Sequence, residues 1–168
     1  MSVMLVQDIK LNDLVALYTP YGLKIELLSA DAEIPGTFWG APEAGLVGST
    51  LYIRPDTPVH SALHEGCHYV CMDQRRKLEL HTNAGGTVLE ECAVCYLQLK
   101  LSDSIVGFGF ERALQDMDQW GYSFRLGSAK SWFYEDAEDA MAWLISRGLL
   151  THDGDVESNL THYFSNWG

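Results

Sequence analysis

Apolar residues recur along this chain at two periods, and the change from one to the other marks out its elements. Ile9, Leu11, Leu14, Val15, Leu17 and Tyr18 fall near the helical period, and Pro20 and Gly22 end the run, which predicts a helix over 8–18. From Leu23 to Leu28 apolar and polar positions alternate, as in a half-buried strand. Thr37–Trp39 and Leu46–Ile53 read as two further strands, and the short links suggest an antiparallel sheet. Beyond residue 57 the pattern is helical. Thr57 suits an N-cap with Pro58 at the first helical position. Later helices are predicted over 87–101, over 106–120 ending at Gly121, and over 131–147 ending at Gly148. This order predicts an α+β fold in a single domain over 1–168, with a small antiparallel sheet packed on a group of helices.

The helix after Pro58 carries His64-Glu65-Gly66-Cys67-His68, an H-E-x-x-H pattern. Positions i and i+4 share a helix face, so both histidines can reach one ion. Glu65 sits about 100° further round, where it flanks the ion as a general base for a water. Zinc is the expected metal, since it keeps three protein ligands and an open position in catalytic sites. The third ligand is expected from the next helix, which begins with Glu90-Glu91. Glu90 is the first choice and Glu91 the alternate. Against Glu90, Thr87-Val88-Leu89-Glu90 is also a capping box, in which Glu90 would bond back to the backbone of Thr87. Gly66 costs about 1 kcal/mol inside a helix, which points to close approach by another group.

Charge narrows the partners. With 23 acidic and 11 basic residues the chain carries a net charge of −12, which argues against nucleic acid or an anionic membrane and is compatible with a basic partner. The N-terminal residues have no basic region ahead of an apolar stretch, and no apolar run is long enough to cross a membrane, so a cytoplasmic protein is expected. The four cysteines, Cys67, Cys71, Cys92 and Cys95, are expected to be reduced there. Their spacing allows a four-cysteine zinc site, although four small buried side chains on two packed helices fit as well. His60 lies one turn before His64 and is a candidate substitute ligand or transition-state donor. His81, His152, His162 and the tyrosines are candidate oxyanion donors among which the sequence does not choose.

The strands, the His64-Glu65-x-x-His68 helix and the downstream Glu90-x-x-Ala93-x-x-Tyr96-Leu97 together resemble the small zincin peptidases of the ImmA/IrrE type, within the gluzincin-like group. The resemblance covers about 46–101. It implies a zincin-like fold, a zinc ion on His64, His68 and Glu90, Glu65 as catalytic base, and a protein or peptide substrate. Val94 stands where that family often has Asn or Asp, a position that commonly supports a ligand histidine. Two other readings remain: a non-catalytic regulatory or interaction domain of the same ancestry, and a structural zinc protein built on the cysteines.

Overall fold

The computed structural model describes residues 2–79 and 86–165. In chain order the elements are α1 (Leu11–Tyr18), β1 (Lys24–Leu27), β2 (Gly45–Val47), β3 (Thr50–Ile53), α2 (Val59–Cys71), α3 (Gln74–Glu79), α4 (Val88–Leu101), α5 (Gly109–Trp120), α6 (Ala129–Glu135), α7 (Glu138–Ser146) and α8 (Thr161–Ser165). This is an α+β fold, as the sequence pattern predicts. No described helix is long and apolar enough to cross a membrane.

The sheet differs in detail from the expectation. Its order is β1-β3-β2, with β3 antiparallel to β2 but parallel to β1, so it is mixed. The reason is the long stretch 28–44, which carries the chain back past β1 before the next strand begins. No strand forms at Thr37–Trp39. Gly36 and Gly40 bracket it at φ of 72° and 92°, and Phe38 and Trp39 stack edge-on at 4.9 Å on the surface. The single strand expected over Leu46–Ile53 is a hairpin. Gly48-Ser49 forms its two-residue loop, with Gly48 at φ 59° and Val47 opposite Thr50.

Helix boundaries shift for local reasons. Pro58 is the N-cap of α2 rather than its first residue, because Thr57 is buried and its Oγ1 accepts the Arg54 N–H at 2.9 Å. Thr87 does cap α4, accepting from the Glu90 N–H at 3.1 Å. The helix expected over 131–147 is broken into α6 and α7 at Asp136, whose backbone leaves the helical region and whose carboxylate pairs with both Arg125 nitrogens.

Helix α4 runs through the middle of the molecule, and α2 and α7 make its most extensive contacts. Every residue from Ala93 to Leu99 is buried. On the other side α2 meets α1 at Gly66. A Cβ there would lie 2.3 Å from Tyr18 Cζ, and Tyr18 is itself fully buried, with its hydroxyl donating to the Leu63 carbonyl at 2.8 Å. The glycine inside α2 is thus the space that lets α1 pack on that helix. Gly66→Ala should gain up to about 1 kcal/mol in helix propensity yet lose more to overpacking, about 1–3 kcal/mol, giving a net fall in stability on chemical denaturation.

Buried thiols and phenols set the alkaline limit of this core. Burial pushes Cys67 from 9.0 up to about 12 and holds Cys71 well above 9.0. It also holds Tyr18 well above its ordinary 10.0. Above pH 9.0 the unfolded chain releases thiol protons that the folded chain retains, so stability falls as pH rises. Lys77 acts in the opposite sense, because burial lowers its pKa from 10.5 to about 8 and deprotonation relieves a buried charge. Two thiols outweigh one lysine. The urea midpoint should therefore decline from about pH 9 upward, and the decline should be shallower in Cys67→Ala/Cys71→Ala.

Candidate metal centre

The two histidines of α2 and the start of α4 meet at one point. His64 Nε2 and His68 Nε2 are 3.1 Å apart. The Glu91 carboxylate spans them, with Oε1 3.0 Å from His64 Nε2 and Oε2 3.0 Å from His68 Nε2. Two nitrogens on one tetrahedral zinc, each at about 2.0–2.1 Å, would stand about 3.3 Å apart, so this donor set fits such an ion with little adjustment. Imidazole and carboxylate donors suit zinc and also other first-row divalent ions. Among the described residues, His64, His68 and Glu91 are the one group of three or more His, Cys, Asp or Glu side chains whose ligand atoms converge in this way.

Of the adjacent glutamates, the structure brings Glu91 rather than Glu90 to the histidines. Consecutive helical residues point about 100° apart, so they cannot share a target. Glu90 is buried and turned to Arg76, which holds it bidentately at 2.6 and 2.9 Å. Gly86 allows this pair, since a Cβ there would lie 2.0 Å from Glu90 Oε2.

Gln98 was not singled out in the sequence, yet it orients the site. Its amide nitrogen donates to the His60 carbonyl at 3.1 Å, which turns Oε1 to His64 Nδ1 at 2.8 Å. An amide oxygen only accepts, so Nδ1 carries a hydrogen and His64 presents Nε2 to the cleft. Glu91, Cys95 and Gln98 stand at i, i+4 and i+7, a seam of polar and sulphur-bearing residues on the face of α4 that meets α2. That spacing is the signal in the sequence that separates Glu91 from Glu90. His68 Nδ1 is buried with no hydrogen-bond partner among the described residues.

The cleft in front of His64 has a volume of about 450 Å³, and His64, Glu65 and Glu91 all line it. Burial raises the Glu65 pKa, against the opposing pull of His68 and His64. A carboxylate held above its ordinary value is a better proton acceptor near neutral pH. Burial works against charge on Glu91, but its contacts with His64 and His68 prevail and hold its pKa far below the usual carboxylate range. Burial likewise opposes charge on His64, and its interactions with Tyr122, Cys95 and Glu91 outweigh it, leaving that pKa well above 6.5.

His60 is a core residue, 1% exposed, with Nδ1 3.2 Å from the Tyr122 hydroxyl, and burial followed by the charge of His64 lowers its pKa to about 3. It is outside the converging group. Tyr122 forms the cleft wall edge-on to His64 at 5.5 Å, and burial raises its pKa to about 12, so it keeps its proton. His152 and His162 do not line this cleft, and His81 lies outside the described residues. All four cysteines are free thiols, and Cys67 lies 3.5 Å from the Tyr18 hydroxyl in the core.

The two glutamates should separate cleanly on mutation. Glu91→Ala should abolish stoichiometric zinc binding. Glu90→Ala should retain it while losing about 1–3 kcal/mol of stability, because Arg76 is left without its carboxylate. Gln98→Ala should weaken zinc about 10–100-fold through the loss of the His64 Nδ1 support. Calorimetric titration with zinc, beside urea denaturation, checks all three.

No protein-family model, curated protein sequence or solved structure matches the chain, so its site is to be read from its own geometry.

Proposed function

We propose that this protein is a zinc-dependent hydrolase acting on amide bonds, most naturally a peptidase. The observation that carries the reading is the convergence of His64 Nε2, His68 Nε2 and the Glu91 carboxylate beside a cleft that His64, Glu65 and Glu91 line. His64, His68 and Glu91 would hold the ion, with Glu91 taking the place that the zincin resemblance gives to Glu90. When bound, zinc would lower the pKa of a water at its open position and polarise a substrate carbonyl.

The chain's own residues supply the rest. Glu65, its carboxylate pKa raised by burial, accepts the proton of the attacking water and later delivers it to the leaving amine. Gln98 holds the His64 ring in one orientation throughout, through Nδ1. Tyr122 stays protonated against the same ring and limits the cleft on that side. A site of three protein ligands beside a carboxylate in a cleft favours catalysis over a closed structural site, which would use four protein ligands.

Elemental analysis should find one zinc per chain in the wild type and none in His64→Ala. Glu65→Gln should keep the zinc and lose about 10²–10⁴-fold of whatever hydrolysis a peptide-library screen detects. Zinc retained in His64→Ala, or hydrolysis unchanged in Glu65→Gln, would refute the assignment.

A further inference from the structure

Two features of the cleft are not used by the reaction just described. One is Trp39, which lines the cleft yet is 79% exposed, an unusual placement for the largest apolar side chain. The other is Glu43, which lines the same cleft and accepts the Trp120 indole N–H at 2.8 Å. Trp120 lines it too, half exposed, with its ring 5.0 Å from that of His60. Glu43 is held on its own side as well, since the next residue, Ala44, donates its N–H to Ser61 Oγ of α2 at 3.0 Å. On this side the cleft is therefore walled by two indoles and a carboxylate, and among the described residues neither lysine nor arginine lines it.

We infer that this wall is a subsite for a positively charged group of the substrate, such as a lysine or arginine side chain next to the bond to be cut, held by Glu43 and the faces of Trp39 and Trp120. The inference rests on the metal-hydrolase reading and names its substrate class. Indole faces attract cations, and a carboxylate has acceptor positions left after taking one N–H. An apolar side chain would use the indoles but strip water from Glu43 without replacing it. An anionic one would meet Glu43 directly, in the field of a chain with net charge −12. With zinc bound, the charges of Glu65 and Glu91 offset the ion, and Glu43 leaves the cleft net negative. Of apolar, anionic and cationic side chains, only the cation satisfies both kinds of wall.

The test is calorimetric titration of the zinc-loaded protein with hydroxamates. Acetohydroxamate reports on the metal alone. The Nα-acetyl hydroxamates of lysine, leucine and glutamate add one side chain each. The lysine compound should bind roughly tenfold more tightly than the leucine compound, and the glutamate compound most weakly. The lysine advantage should shrink as salt is raised. Glu43→Gln and Trp39→Ala should each remove most of that advantage, with acetohydroxamate reporting on the metal centre in the same samples. Trp39 is exposed enough that its removal leaves the core intact. Equal affinity for the lysine and leucine compounds, or an advantage that survives both substitutions, would overturn the subsite while leaving the hydrolase reading standing. Failure of acetohydroxamate to bind the zinc-loaded protein would refute the hydrolase reading, and the subsite with it.

Discussion

The centre depends on the apposition of α2 and α4. Each helix alone carries half a site. Helix α2 offers two imidazoles on one face, and α4 offers Glu91, with Gln98 two turns further along the same face. Gln98 joins them at both ends of its amide, donating to the His60 carbonyl and accepting from His64 Nδ1. Because Gln98 is fully buried, neither bond can be exchanged for water without opening the helix pair. The orientation of His64 and the packing of the core are therefore one constraint. Tyr18, seated against Gly66 on the opposite face, presses α2 into place from behind.

The electrostatics of the cleft follow from that packing. Three nitrogen and oxygen donor groups brought within 4.8 Å of one another cannot all be left bare. Burial opposes charge on both Glu91 and His64, but the contacts with His64 and His68 hold Glu91 far below its ordinary pKa, and Tyr122, Cys95 and Glu91 hold His64 well above its own. Because imidazole and carboxylate ligands bind a metal in their deprotonated forms, ion binding at the proposed centre would be linked to proton release. Glu65 lines the same cleft outside the converging group, and burial raises its pKa against the opposing pull of His68 and His64.

Much of this was legible in the sequence, and what was missed has physical causes. The α+β class, α1, α2, α4 and the pairing of His64 with His68 follow from period and spacing alone. The choice between Glu90 and Glu91 does not follow from spacing to the histidines. It depends on which way α4 is rotated, and that is decided by partners distant in sequence: Arg76 for Glu90, and the histidines for Glu91. The motif analogy selects the first glutamate, whereas in the structure Glu90 is turned to Arg76 and Glu91 to the histidines. The parallel pairing of β1 with β3 was hidden for a similar reason. Local alternation gives a strand its faces, but its neighbour is set by the path of 28–44. The Gly48-Ser49 turn, by contrast, could have been read, since Gly-Ser between Leu46-Val47 and the β-prone Thr50-Leu51 is a hairpin signal.

The misread segment also explains the shape of the cleft. Read as a strand, Thr37–Trp39 would have one face buried and would add an edge to the sheet. As a loop bracketed by Gly36 and Gly40, it instead leaves Trp39 on the rim of the cleft, and the following turn places Glu43 on its wall. Close packing fixes this path: a Cβ at Gly45 would lie 2.1 Å from the Pro35 carbonyl oxygen, so the loop is pressed against the start of β2. The loop is thus anchored at Gly45 and at Ser61, and its large aromatic side chains face outward between those anchors. A chain that needed Phe38 and Trp39 only for stability would have buried them. The exposure of Trp39, on a loop whose backbone is held, is the ground for the proposed subsite on that side of the cleft, apart from the proposed metal centre on the α2–α4 contact.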